Sequence, residues 1–110
     1  MGQYLGKQLK ALQDKHPSVG DVRGLGLFWA LELVRDRESR QAFNTREDKL
    51  QGKSMVADSV AAECIKKGTF INSWINYLII APPLIIKREE IDQGTIALDS
   101  ALGVADTEII

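Results

Sequence analysis

The chain contains one histidine, His16, and one cysteine, Cys64, and that scarcity bounds its chemistry. A protein metal centre built on His and Cys takes three or four ligands, so these two residues cannot make one. A single cysteine also excludes an internal disulfide. His16 precedes Pro17 where a helical pattern stops. There an imidazole is expected to cap the helix or lie on its surface, complementing the negative end of the dipole. Cys64 falls on the apolar stripe of a second helical pattern and is expected in the core as a small hydrophobe. No hydroxyl or thiol is paired with a base in a recognisable nucleophile pattern, and no catalytic, cofactor-binding or metal-binding residue is assigned. In VGDVRGLGLFWALELV, residues 19–34, Gly24 and Gly26 lack G-x-G-x-x-G spacing and lead into a strand. A phosphate cradle needs a helix N-terminus at that point, so these glycines are expected to serve a bulge or close packing. Arg23, between Asp21 and the glycines, is expected to form a local ion pair or to bond a loop carbonyl. Glu89 and Glu90 begin a helix, where acidic groups suit the dipole, and are not an acid/base dyad.

The remaining chemical signal is positional. In YLIIAPPLIIKREEID, residues 77–92, Pro82 and Pro83 interrupt an apolar run. Proline cannot donate to a ladder and is confined to strand edges, starts and bulges, and it pushes the residue before it into extended geometry. The stretch therefore predicts a short strand, a rigid jog, a second short extended piece and a charged helix start, an arrangement suited to aiming a neighbouring segment.

The elements that would hold these residues follow from periodicity. Leu5, Leu9 and Leu12 recur at i, i+4 and i+7 beside Tyr4, which predicts a helix ended at His16-Pro17. Residues 19–34 predict one strand with an irregular start. Leu25, Leu27, Trp29, Leu31 and Leu33 fall on one face, Phe28, Ala30, Glu32 and Val34 on the other. Both faces are mostly apolar, so the strand is expected to be central and covered on both sides. RDRESRQAFNTREDKLQGK, residues 35–53, is long for an internal loop; with only Phe43 and Leu50 as large apolar residues, it is expected to be a mobile flap or a segment ordered by a partner surface. Ser54 resembles an N-cap for a helix carrying Val56, Val60, Ala61, Cys64 and Ile65 and closed by Lys66, Lys67 and Gly68. TFINSW and YLIIA predict two short strands. A last helix starts near Arg88 and turns Ile91, Thr95, Leu98, Leu102 and Ala105 inward, with Gly94 costing about 1 kcal/mol relative to alanine. The order is α-β-α-β-β-α: a small α+β domain over residues 1–110, with helices packed on a short, mainly antiparallel sheet.

Composition narrows the partners. The formal net charge of -1 gives no electrostatic reason for nucleic acid or an anionic membrane. No apolar run reaches the length of a membrane span. The first residues, MGQYLGKQLKALQDKHP, are polar and helical in pattern, unlike a signal peptide, and Gly6 fails the myristoylation pattern. The single cysteine favours a reducing compartment, so a cytoplasmic location is expected.

Three segments then carry a resemblance. HPSVGDVRGLGLFWALELVRDR, AFNTREDK and LIIAPPLIIKREEIDQG, in this order and spacing, resemble the C-terminal small domain of class III aminotransferases, pyridoxal-phosphate enzymes of fold type I, with the ω-amino acid or taurine:pyruvate branch the most similar. The resemblance covers essentially the whole chain. It implies a parent enzyme that transfers an amino group from an ω-amine or amino acid donor to a 2-oxo acid such as pyruvate, as a homodimer. It implies that a large domain of the same parent chain holds the Schiff-base lysine, the aspartate facing the pyridine nitrogen and the phosphate-binding loops. None of those motifs is present here. Pyridoxal 5'-phosphate is thus expected in the parent and not on this chain, which would be inert alone, an excised domain or the product of a truncated or split gene. The family also places the segment before the double proline at the active-site mouth, where many members grip a substrate carboxylate with a bidentate arginine. NSWINYLIIAPP has neither Arg nor Lys. Asn72, Trp74 and Asn76 are therefore the expected substrate-binding residues; the alternative is a core role for Trp74 and turn roles for the asparagines. Lys87 stands where relatives often carry a Thr N-cap, leaving the KREE helix start without a good cap. The competing assignment is a stand-alone α+β binding or dimerisation module without catalytic activity.

Overall fold

The computed structural model describes residues 2–83 and 85–109. Its elements run α1 (Gly2–Lys15), β1 (Val19–Leu25), β2 (Phe28–Asp36), β3 (Gln41–Ala42), α2 (Arg46–Leu50), α3 (Val56–Lys66), β4 (Asn72–Trp74), β5 (Tyr77–Ile80), α4 (Arg88–Ala101) and α5 (Gly103–Asp106). Four strands pair antiparallel in the order β1-β2-β5-β4, and β3 adds to β2. The α+β class and the antiparallel sheet are as the sequence leads one to expect.

One helix-covered face holds the core. Leu5, Leu9 and Leu12 of α1, Val22, Trp29, Leu31, Leu33 and Leu78 of the sheet, and Val60 and Cys64 of α3 are buried together. Period-2 alternation along β2 puts Trp29, Leu31 and Leu33 on this side. Gly6 lets α1 lie against the sheet, since a Cβ there would strike the Trp29 ring. Gly24 is also a close-packing glycine: a Cβ would meet both the Trp29 ring and the Phe28 carbonyl oxygen.

Residues 19–34 are not one strand. They form a hairpin that reverses at Gly26 and Leu27, with Leu25 opposite Phe28. Gly26 has φ +59°, a conformation glycine adopts without Cβ conflict. Because apolar content on both sides of the turn is similar, periodicity did not mark the reversal. The far face is covered only in part: Val34 is buried, whereas Leu25 is 87% and Phe28 62% exposed.

Residues 35–53 contain β3 and α2 and bury Phe43. Thr45 and Asp48 close a capping box on α2, each accepting the other's backbone N–H at 3.0 Å, which satisfies two donors that a helix start leaves free. Ser54 is not the cap of α3. Met55 holds that position without a side-chain bond, and Asn44 Oδ1, twelve residues before Val56, accepts the Val56 N–H at 3.0 Å. A cap can come from any side chain that tertiary structure brings to the helix end, so local spacing alone misplaces it.

The helix α4 starts at Arg88 as expected and buries Ile91, Ala97, Leu98 and Ala101; Leu102 and Ala105, expected on the same stripe, are buried too, but Leu102 is the C-cap of α4 and Ala105 lies on the separate α5. Thr95 is half-buried, its hydroxyl donating to the Ile91 carbonyl at 2.7 Å. The ammonium of Lys87 has no lone pair to offer a free N–H, and half of a capping box remains, with the Lys87 N–H donating to Glu90 Oε1 at 2.9 Å. After the prolines, the Ile86 N–H donates to the Pro83 carbonyl at 3.0 Å, so a turn replaces the expected second extended piece; Leu84 lies outside the described residues. His16 is neither a surface residue nor a cap. Its side chain is 8% exposed and lies between Asp99 and Asp106.

Candidate functional site

The β4–β5 hairpin positions the three residues expected to meet a substrate. It reverses through Ile75 and Asn76. Ile75 has φ +53°, a region that a β-branched residue avoids and that costs of order 1–3 kcal/mol to hold. Asn76 supplies the contacts that hold it. Its carbonyl accepts the Leu33 N–H at 2.7 Å, its Oδ1 accepts the Asn44 N–H at 3.0 Å, and its Nδ2 donates to the Asn44 carbonyl. The Asn76 amide is therefore spent on the backbone of Asn44, and the residue is buried.

The structure thus separates the three. Asn72 and Trp74 share one face of β4, since alternate strand residues point the same way, and both are exposed. Asn76 sits in the turn that follows and is buried. Across the sheet Asp21 faces Glu32, Glu32 faces Tyr77, and Tyr77 faces Trp74. The Tyr77 hydroxyl donates to Glu32 Oε2 at 2.8 Å. Arg23 Nε lies 3.2 Å from Asp21 Oδ2, the local ion pair expected for it, and its guanidinium stands 5.7 Å from the centre of the Tyr77 ring. At the other end Lys49 of α2 brings its ammonium 4.6 Å from the centre of the Trp74 ring, within cation–π range. Sequence reasoning missed Lys49, because it and Trp74 are 25 positions apart and no local spacing links them; they meet only in the folded chain.

A cavity of about 480 Å³ opens between α1, α4 and the end of β5, with Asn72, Pro82, Pro83, Ile86 and Glu90 among its lining residues. The double proline is therefore a wall of the same cavity that Asn72 enters from β4. No lysine lines it, and every lysine of the chain is exposed. Cys64 is fully buried, and burial pushes its thiol up to about 11, so it is a core residue as expected and not a nucleophile. Among the described residues no cluster of three His, Cys, Asp or Glu side chains forms a metal site, and no helix is long and apolar enough to cross a membrane.

Comparison with known proteins sets this geometry in context. The family profile described as Aminotransferase class-III matches residues 1–102. The chain is 38% identical over 109 residues to the hypotaurine/taurine–pyruvate aminotransferase of Paracoccus denitrificans, covering 93% of this chain and 22% of that protein. It is 36% identical over 105 residues to a Caenorhabditis elegans protein named ethanolamine-phosphate phospho-lyase homolog 1, with 93% of this chain and 21% of that protein covered. Its fold matches the thermostable (S)-enantioselective omega-transaminase of Thermomicrobium roseum with a TM-score of 0.79 at 33% identity, over 94% of this chain and 21% of that one. The chain spans about a fifth of the length of these relatives.

Proposed function

The chain belongs to the class III aminotransferases, and from that membership we propose that it is the C-terminal domain of an enzyme that moves an amino group from an ω-amine or amino acid donor to a 2-oxo acid such as pyruvate. The observation that carries this is the match to the family from residue 1 to residue 102, supported by a like fold in an ω-transaminase at 33% identity. Class III enzymes use pyridoxal 5'-phosphate, which supplies the electron sink for chemistry at the C–N bond. The described residues do not fit it as a resident cofactor: it needs an enclosed lysine and a phosphate cradle, and the lysines here are all exposed. No step is therefore assigned to the cofactor on this chain.

The chain's own share is positioning. The exposed β4 face carries Asn72 as a hydrogen-bonding group and Trp74 as an apolar wall, with Lys49 as the nearby cation. We place this face toward the substrate, with Asn76 as the bracket that fixes the turn. Residues 1–110 act as one domain. The large cofactor-binding domain of the parent is its partner, in a cytoplasmic homodimer. The open sheet face around Phe28 and Leu25 is the surface the rest of the parent covers, since large exposed apolar groups on one face mark an interface.

The test is a chimera in which residues 1–102 replace the matching segment of the Paracoccus enzyme, assayed for amino transfer to pyruvate. The expected outcome is a dimer that turns over and that loses turnover with Asn72→Ala or Trp74→Ala. The isolated chain, given pyridoxal phosphate and an amine donor, is expected to show no turnover. A chimera that folds and dimerises but transfers nothing would leave the chain as a binding or dimerisation module.

A further inference from the structure

The ammonium of Lys49 stands 4.6 Å from the centre of the Trp74 ring, and none of the ion pairs among the described residues includes it. An ammonium carries three donors and no acceptor. A ring face attracts its charge but offers it no oxygen. The acids of the same helix and of the sheet face are engaged elsewhere. On α2, Asp48 Oδ1 lies 3.6 Å from Lys53 Nζ, and Glu47 Oε1 accepts from Gln51 Nε2 at 3.2 Å. On the sheet, Asp21 pairs with Arg23, and Glu32 accepts from the Tyr77 hydroxyl.

The helix that carries this cation is pinned. The capping box of Thr45 and Asp48 fixes its start. Just before it, Asn44 exchanges hydrogen bonds with the Asn76 side chain, and just after it the Ser54 carbonyl accepts from Asn44 Nδ2 at 3.2 Å. One residue thus ties both ends of the α2 segment to the turn that follows Trp74. That turn is itself held in an unfavourable shape, with Ile75 at φ +53°. Such strain persists only where the surrounding structure imposes it, and it clusters at ligand-binding sites. Trp74 is 52% exposed, so ring and ammonium form a pre-positioned, open pair on the face that carries Asn72.

We propose that Lys49, seated on Trp74, grips the oxyanion of a donor whose carboxylate or sulfonate lies at the end away from its amino group, and so selects ω-amino acids and aminosulfonates over plain amines. The inference rests on the β4 face being turned to the substrate, as proposed above. The ring is an apolar floor beneath the ammonium, and a low-dielectric wall strengthens its pairing with an anion. Asn72 on the same face adds a neutral donor. Lys49 binds the far end of the donor and touches no reacting bond. A grip made equally before and during the reaction lowers KM and leaves kcat as it is.

The chimera with the Paracoccus hypotaurine/taurine–pyruvate enzyme reads this with taurine and propylamine as donors and pyruvate as acceptor. Lys49→Met keeps the apolar stem and removes the charge. The ratio of KM for taurine to KM for propylamine should rise about tenfold, the lower end for a hydrogen bond to a charged group, with the change in KM and not in kcat. Lys49→Arg should restore most of the preference. A second arm needs no variant: in the unmodified chimera, acetylation of Lys49 by acetic anhydride, followed by peptide mass mapping, should be slower in sodium ethanesulfonate than in sodium chloride of equal ionic strength. An unaltered KM ratio in Lys49→Met, or equal acetylation in the two salts, overturns the grip. If Asn72→Ala and Trp74→Ala still cost turnover in that case, the placement of the face stands without it. A chimera that turns over and ignores all three substitutions removes face and grip together.

Discussion

Asn72 and Asn76 are four positions apart and of the same type, yet the structure gives them opposite tasks. Asn76 pairs with both backbone groups of Asn44, and Asn72 is exposed beside the cavity. Replacing Asn76 with alanine leaves the Asn44 N–H and C=O without partners in a half-buried place. The expected loss is about 2–3 kcal/mol of stability by denaturant unfolding, since each unsatisfied group costs about 1–3 kcal/mol. Asn72→Ala should change stability by less than about 0.5 kcal/mol, as at other exposed sites. Equal effects would place Asn76 outside the bracket. Cys64 gives a second prediction. With its thiol pushed up to about 11, roughly 0.1% is thiolate at about pH 8, and only thiolate reacts. A disulfide reagent should therefore modify the native chain only as fast as it opens, and the unfolded chain at once. Rapid modification of the native chain would contradict the burial of Cys64.

Residues 77–92 are an element-scale device. Both prolines fix φ near -65°, and Pro82 and Pro83 form a wall of the cavity that Asn72 lines. Replacing both with alanine restores freedom to the unfolded chain, a cost of about 0.4–1 kcal/mol per site. The turn should survive, because its bond from Ile86 N–H to the Pro83 carbonyl uses backbone atoms only. The melting temperature of this chain should fall modestly, while in the chimera turnover should fall much further, since a displacement of about 1 Å in a positioning segment can cost roughly 10²-fold. Activity per folded chimera within about threefold of the parent, less than the roughly 1.4 kcal/mol of barrier that a tenfold loss represents, would reduce the prolines to a strand terminator. The excursion of residues 35–53 is a second such device. Its Asn44 serves three elements, receiving Asn76, capping α3 through Val56 and donating to the Ser54 carbonyl at 3.2 Å.

At the scale of the whole molecule, the sheet is covered on one face and open at the hairpin end of the other, around Leu25 and Phe28. Phe28, on the open face, contributes little to the isolated fold, so Phe28→Glu should shift its stability by no more than about 0.5 kcal/mol. In the chimera the same charge would lie against the covering part of the parent, where an unpaired charge is costly to bury. Loss of soluble dimer there, with the isolated variant unchanged by melting, would agree with an interface; a chimera indifferent to Glu at position 28 would remove Phe28 from it.

Helix stripes and the strand pair of residues 72–80 were legible in the sequence because their signals are local. Leu5, Leu9 and Leu12 declare a buried helix face by spacing alone, Arg88 opens α4 beside its acidic pair, and Cys64 joins the core through its stripe. The quoted segments also carried the family. The reversal at Gly26 was not legible, because one glycine between two apolar runs suits a bulge as well as a turn. Nor was the fate of single polar side chains. His16 between two helices, Asn44 on the start of α3, Asn76 on Asn44 and Lys49 over Trp74 each pair with groups 12 to 90 residues away in some direction of the chain. Spacing along a sequence reports which face a residue occupies; which partner satisfies its hydrogen bonds is decided only when distant elements pack together.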